Sequence, residues 1–220
     1  MFDQTVRLQQ LGAAHGTDKH DQNHSFAGRS YLDIYEMYLG SRRWMVERVV
    51  EIGVLTGASL RMWRDYFPRA QVIGLDIDPA RAEVAGERIS VVTGSQSDPE
   101  AIERVMWLSG QPLDFILDDG SHVNDLTVAS FNLLVPHLRP GGLYVIEDLA
   151  CSYLGPNLEN HIPTWPGMQF NQIHEWNNDR AVMDRLFAEK IAQIDLRADT
   201  DVEFVHFWTQ ICIVGKRSDR

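Results

Sequence analysis

Acidic residues follow two apolar runs of the sequence, at positions where they could do chemistry. Asp118 and Asp119 come directly after the run 113–117, and Glu147 and Asp148 come directly after the run 143–146. If the runs are neighbouring parallel strands, their carboxyl ends lie about 5 Å apart, and the carboxylates of Asp119, Glu147 and Asp148 converge. Such carboxylates repel one another unless protons or a cation neutralise them. Oxygen ligands without cysteine favour a hard divalent cation such as Mg²⁺.

A histidine completes this constellation. His122 lies three residues after Asp119, on the same predicted loop. An imidazole titrates near neutrality and can accept a proton from a substrate hydroxyl. A metal ion that bound the same hydroxyl would lower its pKa and orient it. Each motif taken singly also has an ordinary structural explanation, as a turn cap, a solvated strand end or a hydrogen-bonded loop histidine.

Short apolar runs alternate with helical segments around these residues. The runs 48–52, 71–75, 89–92, 113–117 and 143–146 predict five strands, and Asp98 with Pro99 predicts the start of a helix. Pro79 predicts the first turn of another helix, and residues 124–138 predict a helix that ends near Pro140. Segments 202–207 and 209–214 predict a closing strand pair, and 191–194 could pair with one of them. The pattern indicates an α/β fold, a Rossmann-like, doubly wound and mostly parallel sheet.

The turn after the first predicted strand is rich in glycine. Gly53 and Gly57 would let the backbone approach a ligand, and the helix that follows Ser59 would offer its N–H groups to a carboxylate. Asp76 ends the second strand, where it could accept hydrogen bonds from both hydroxyls of a ribose. The spacing is not Gly-x-Gly-x-x-Gly, and no Gly-Lys-Ser/Thr occurs. Glu51 would repel a pyrophosphate, so a nicotinamide cofactor is disfavoured; a tight turn without a ligand stays an alternative.

These residues resemble the class I methyltransferases that use S-adenosylmethionine (SAM). The matching features are Glu51-x-Gly53-x-x-x-Gly57, the acidic strand end Asp76 and the Pro-Gly-Gly before the fifth strand. The resemblance implies SAM as cofactor. It places the following residues at the cofactor: Glu51, Gly53, Gly57, Ser59, Asp76, Ser95, Gln96 and Asp118. Within this set, Glu51 and Gly53 would line the methionine part, Ser59 would hold its carboxylate, Asp76 the ribose, and Ser95 with Gln96 would border the adenine.

The pattern Asp119-x-x-His122 with Glu147-Asp148 further resembles metal-dependent sugar O-methyltransferases. These act on macrolide and polyketide glycosides or on mycobacterial rhamnosides and mannosides. The segments 16–19, 31–36 and 152–153 match as well. The resemblance implies that Asp119, Glu147 and Asp148 bind Mg²⁺, that His122 is the general base, and that the partner is a small sugar or glycoside. Ser95 departs from the family, which often has an acidic residue there.

Other functions remain open at the level of sequence. A catechol offers two adjacent oxygens to the same metal ion, so a phenolic acceptor fits the same residues. A SAM-binding protein without catalysis and a dehydrogenase are further alternatives.

The composition of the chain limits its binding partners and indicates its location and domain organisation. The net charge is −11 without a basic run, which disfavours nucleic acid. No leader and no apolar stretch of about 20 residues is evident, and Cys151 and Cys212 lack a CxxC spacing, so we expect a cytoplasmic protein with reduced thiols. We expect one domain over 1–220, with an arm and helix at 1–45 and a lid at 150–180, and a possible homodimer. The aromatic segment in that lid could instead be a subunit contact.

Overall fold

A seven-stranded sheet forms the centre of the molecule. The computed structural model describes residues 7–20, 25–26, 28–110, 112–154, 178–196 and 201–218. In chain order, the strands of this sheet are β1 (Arg48–Ile52), β2 (Gln71–Asp76), β3 (Ile89–Thr93), β4 (Leu113–Asp118), β5 (Leu138–Ile146), β6 (Val202–Trp208) and β7 (Ile211–Lys216). Their spatial order is β3-β2-β1-β4-β5-β7-β6. The first five strands are parallel, whereas β7 runs antiparallel to β5 and β6 antiparallel to β7.

Helices cover both faces of the sheet, which confirms the predicted doubly wound α/β fold. The helices are α1 (Leu8–His15), α2 (Tyr31–Leu39), α3 (Ala58–Tyr66), α4 (Pro99–Ser109), α5 (Asn124–Leu134) and α6 (Arg180–Asp195). One core packs α1, α2 and α3 against the sheet around Trp63, and the other packs α4, α5 and α6 around Phe131. Every residue of β4 is buried, as expected for the central strand of a covered parallel sheet.

Local signals set the starts of two helices, and the predicted start at Asp98 and Pro99 is confirmed. The side chain of Asp98 accepts a hydrogen bond from the backbone N–H of Glu100, and Pro99 occupies the first helical position of α4. Ser30 caps α2 through the backbone N–H of Asp33, whose carboxylate returns to the N–H of Ser30. Pro79 begins a 3₁₀ turn, Pro79–Val84, rather than an α-helix.

Two predicted boundaries differ from the structure. The segment Ile191–Ile194 is not a strand but the last part of α6, because its isoleucines continue the helical spacing of Leu186 and Phe187 and Ile194 packs on the same core. The predicted helix 124–138 divides into α5 and the 3₁₀ turn Val135–His137. Strand β5 then begins at Leu138, and residues 139–142 bulge opposite Asp114 alone.

Both cysteines are free and buried. No helix among the described residues is long and apolar enough to cross a membrane.

Most of the segment expected to form a lid, residues 155–177, lies outside the described residues, and so do Trp165 and Trp176.

Candidate active site

A cleft opens at the carboxyl ends of the central parallel strands. Its volume is about 500 Å³, and its lining includes Gly53, Ser59, Asp76, Asp119, His122 and Asp148. Strands β4 and β5 are direct neighbours, with Asp118 opposite Ile146. The residues that follow the two strands therefore meet at one edge of the sheet, as the sequence predicted.

Three side chains in the cleft could hold a metal ion. One ligand atom from each of Asp119, His122 and Asp148 lies within 4.8 Å of the other two. The His122 Nε2 atom is 3.9 Å from an Asp119 oxygen and 3.7 Å from an Asp148 oxygen. The structure thus brings together Asp119 and Asp148 of the predicted ligand set, with His122 beside them.

Glu147 points to different partners. One of its oxygens is 2.5 Å from the Lys19 ammonium, and the other accepts a hydrogen bond from the Tyr35 hydroxyl. Burial raises the pKa of Glu147 well above its usual range, and the charge of Asp119 adds to this although Lys19 opposes it. Metal ligation by Glu147 stays a prediction, since both of its oxygens are engaged here.

Lys19 is buried among the acidic residues. Its ammonium contacts Asp119 and Glu147 and lies 3.8 Å from Glu51, while its side chain is only 3% exposed. Burial alone would lower the pKa of Lys19, but the three carboxylates raise it well above its usual value. The ammonium therefore stays charged and neutralises part of the acidic cluster.

Two tyrosines of α2 orient the acidic pair. The Tyr31 hydroxyl donates to Asp148 over 2.7 Å, and the Tyr35 hydroxyl donates to Glu147. Residues four apart lie on the same face of a helix. Tyr31 and Tyr35, on consecutive turns of α2, can therefore bond to the consecutive residues Asp148 and Glu147. The resemblance over residues 31–36 gives Tyr35 no role, and its spacing of four residues from Tyr31 is the sequence signal that indicates one.

The backbone is strained at this edge of the sheet. His122 and Asp148 both adopt φ of 53°, and Leu55 on the glycine-rich turn adopts 46°. Such left-handed conformations are uncommon outside glycine and cost on the order of 1–3 kcal/mol where they are sparsely populated. The surrounding contacts therefore hold these residues in place against that strain.

Gly53 sits where no larger residue fits. Its φ is 89°, and an added Cβ would lie 2.1 Å from the carbonyl oxygen of Asp119. The β1 turn and the Asp119 loop therefore pack backbone against backbone. Nearby, the Asp76 carboxylate accepts hydrogen bonds from the N–H groups of Val54 and Asp78 over 2.8 and 2.9 Å, so it also holds the glycine-rich turn.

Glu51 lies beneath the cleft rather than on its wall. It is fully buried, and neither of its oxygens accepts a hydrogen bond of ordinary geometry within the described residues. Burial raises its pKa to about 7, despite the opposing charge of Lys19. Ser59 lines the cleft, whereas Gly57 is the left-handed N-terminal cap of α3.

A smaller cavity of about 160 Å³ adjoins the cleft. Ser95 and Gln96 line it together with Asp76 and Gly120, and their place beside the cofactor stays a prediction. Asp118 lines neither cavity. Its buried carboxylate accepts hydrogen bonds from Ser130 and Tyr144, so it is engaged in the core, and its contact with the cofactor stays a prediction.

The histidines of the N-terminal arm have separate partners. The His15 ring is 2.8 Å from Asp65, and the His20 ring contacts the backbone of Thr17. Among the described residues of the arm they form no metal-binding group, and His24 lies outside the described residues.

Known proteins share both the sequence and the fold. Residues 50–149 match a family model described as a methyltransferase domain. Mycinamicin VI 2''-O-methyltransferase of Micromonospora griseorubida is 41% identical over 140 residues, covering 60% of this chain and 32% of that protein. The 8-demethyl-8-alpha-L-rhamnosyl tetracenomycin-C 2'-O-methyltransferase of Streptomyces olivaceus is 32% identical over 225 aligned positions, covering 95% of this chain and 54% of that protein. The chain thus spans about a third to a half of these relatives.

A solved structure of a methyltransferase is similar to this chain over almost its whole length. The MycE methyltransferase of the mycinamycin biosynthetic pathway, in complex with Mg, SAH and mycinamycin VI, superimposes with a TM-score of 0.74 at 31% identity. The match covers 97% of this chain and 55% of that one. The expected resemblance to sugar O-methyltransferases is confirmed. By sequence, strand order and similarity to these proteins, the chain contains a methyltransferase domain and resembles the class I SAM-dependent methyltransferases.

Proposed function

We propose that this protein transfers a methyl group from SAM to a hydroxyl of a sugar or glycoside, such as a rhamnoside or mannoside, with the help of a divalent cation. The observation that carries the proposal is the group formed by Asp119, His122 and Asp148 at the edge of the cleft. The names of the relatives support a sugar acceptor, because they describe methylation of glycosides.

The cleft has the features that SAM requires. Gly53 lets the glycine-rich turn pack directly against the Asp119 loop, since a side chain there would clash with the Asp119 backbone, and this brings the turn proposed for SAM beside the acidic group. Glu51 is a buried carboxylate short of donors, which suits the amino group of the methionine part. Asp76 stands at the end of β2, where its oxygens can also receive ribose hydroxyls, and Ser95 with Gln96 would border the adenine.

The donor set suits a hard cation. Asp119 and Asp148 offer carboxylate oxygens without a thiolate, the ligand type that Mg²⁺ prefers. When bound, the cation would act as a Lewis acid that lowers the pKa of an acceptor hydroxyl. Tyr31 orients Asp148, and the buried Lys19, which also lines the cleft, binds Asp119 and Glu147, so the chain presents a partly neutralised acidic group to the cleft.

His122 is proposed as the general base. Its ring lies in the cleft with Nε2 near both aspartates, where it can take the hydroxyl proton as the oxygen attacks the methyl group. The new bond joins oxygen to the methyl carbon, and the bond from that carbon to the sulfonium sulfur breaks. The residues of the cleft contribute largely by alignment, because such a displacement requires the reacting atoms in line.

A screen of acceptors tests this function. Glycosides bearing rhamnose, mannose or a deoxysugar are incubated with methyl-labelled SAM, with Mg²⁺ or after exhaustive chelation, and a catechol is included. We expect label in a glycoside only with the cation. Labelling of the catechol alone would assign the protein to phenolic acceptors, and full activity after chelation would contradict the metal role.

The roles of His122 as base or as ligand separate by measurement. Replacing a general base typically lowers kcat by about 10²–10⁴-fold. The kcat of His122→Ala should therefore fall by that factor, while its affinity for Mn²⁺, taken as the probe of the cation site, is retained. If Mn²⁺ affinity falls with kcat, His122 is a ligand and the proton must leave by another route. The cytoplasmic location and the homodimer stay predictions, the latter open to sedimentation analysis.

A further inference from the structure

The loop that carries Asp119 and His122 is held by two side-chain amides from different parts of the fold. It leaves β4 with the Asp119 N–H donating to the Ile52 carbonyl over 3.0 Å. It ends at His122, whose φ of 53° turns the chain toward α5. On this loop, backbone groups of two consecutive residues, the Ser121 N–H and the His122 C=O, bond to side chains outside the loop.

Gln96 holds the first of these groups. Its amide oxygen accepts the Ser121 N–H over 3.0 Å, while its amide nitrogen donates to Asp118 and Ser130, each over 3.2 Å. Asp118 is in turn fixed by the Tyr144 hydroxyl over 2.9 Å. Because the amide nitrogen faces a carboxylate, only the amide oxygen can face the loop. The buried polar residues around Asp118 therefore set the orientation of Gln96.

Asn178 holds the second group. Its amide nitrogen donates to the carbonyls of His122 and Cys151, both over 2.8 Å. Its amide oxygen accepts the N–H of Asn124, at the start of α5, over 2.9 Å. One side chain thus ties the His122 loop to α5 and to the turn that follows the acidic pair Glu147 and Asp148.

We propose that Gln96 and Asn178 are positioning residues for the reaction, which hold His122 in its left-handed conformation and keep its ring beside Asp119 and Asp148. The role of His122 in this inference rests on the proposed function. The placement of the loop rests on the hydrogen bonds alone. Gln96 also lines the smaller cavity beside Ser95, whereas Asn178 lines neither cavity. Gln96 therefore connects the cofactor side to the loop, whereas Asn178 connects the loop to α5 and to the turn after the acidic pair.

Isosteric and near-isosteric variants separate the two residues. Asn178→Asp replaces the two donated hydrogen bonds with an oxygen that faces two carbonyl oxygens. We expect kcat to fall by up to about 10²-fold, the cost of misplacing a catalytic group by about 1 Å, while the affinity for S-adenosylhomocysteine is unchanged. Gln96→Met removes the bond to Ser121 and the amide group that Gln96 presents to the cavity, so it should lower kcat and weaken S-adenosylhomocysteine binding together. Asn132→Asp, on the exposed side of α5, is the matched control and should change neither.

Two readouts do not depend on turnover. In the wild-type protein, the Ser121 amide should exchange slowly with solvent, and this protection should disappear in Gln96→Met. In histidine-labelled protein, the ring signals of His122, assigned by their loss in His122→Gln, should move in Asn178→Asp and stay in place in Asn132→Asp.

These readouts distinguish failure of the inference from failure of the proposed function. If no acceptor is methylated, the proposed function fails, while amide exchange and the His122 signals still test the loop contacts. Rapid exchange of the Ser121 amide in the wild type would overturn the inference even if every variant failed to fold. An Asn178→Asp enzyme with the kcat and His122 signals of Asn132→Asp would overturn it as well.

Discussion

Removal of the Lys19 ammonium tests how the acidic cluster is stabilised. In Lys19→Met, a side chain of similar length keeps the packing but leaves Asp119, Glu147 and Glu51 without their shared cation. Breaking a buried ion pair by removing one partner costs about 3–5 kcal/mol. The side chain is only 3% exposed, so water cannot readily replace the lost charge.

That cost converts into a measurable change in thermal stability. For a chain of this size, about 1 kcal/mol corresponds to roughly 2–4 °C in Tm, so Lys19→Met should lower the Tm by about 6–20 °C in metal-free buffer. Lys190→Met is the matched control, because Lys190 pairs with Glu189 near the surface, where such pairs contribute about 0–1 kcal/mol. Differential scanning calorimetry of both variants with a chelator present gives the comparison.

A small change in the Tm of Lys19→Met would refute this reasoning. If Lys19→Met melts within the range of Lys190→Met, the ammonium does not hold the carboxylates and the cluster is neutralised in another way.

Three further predictions concern the cofactor side and the thiols. Asp76→Ala should weaken SAM binding strongly, measured by titration calorimetry, because it removes the proposed ribose acceptor; unchanged affinity would contradict that role. Gly53→Ala should destabilise the fold well beyond Gly110→Ala, since both glycines have positive φ but only at Gly53 would the new Cβ meet backbone; equal melting temperatures would refute the close contact with the Asp119 loop. Burial raises the pKa of the thiols of Cys151 and Cys212, so native protein at pH 8 should resist alkylation by iodoacetamide until denaturant is added; rapid labelling of either would show that it is accessible.

The fold was largely predictable because its signals are local. The five parallel strands are short apolar runs bounded by turn residues, and Asp98 with Pro99 marks the start of α4 through bonds within three residues. The strand assigned to residues 191–194 was wrong, because a four-residue window cannot reveal the helical period that extends from Met183 to Ile194.

The acidic site was predictable only in outline. That β4 and β5 are neighbours follows from general rules of sheet topology, so the meeting of Asp119 with Asp148 could be expected. Which carboxylate oxygens face the cleft could not be predicted, because their orientation depends on partners far away in sequence. Lys19 and Tyr35 engage Glu147, and Tyr31 orients Asp148.

The sequence by itself determined the strand–helix alternation, the glycine-rich turn at Gly53 and the placing of carboxylates after adjacent strands, since each rests on residue type and short spacing. The tertiary structure alone decided that an N-terminal lysine lies inside the acidic cluster, that Asp118 belongs to the core, and that Gln96 and Asn178 hold the His122 loop. The reason is physical: buried charges and amides take the partners that packing brings within hydrogen-bond distance, and those partners come from segments that no local pattern connects.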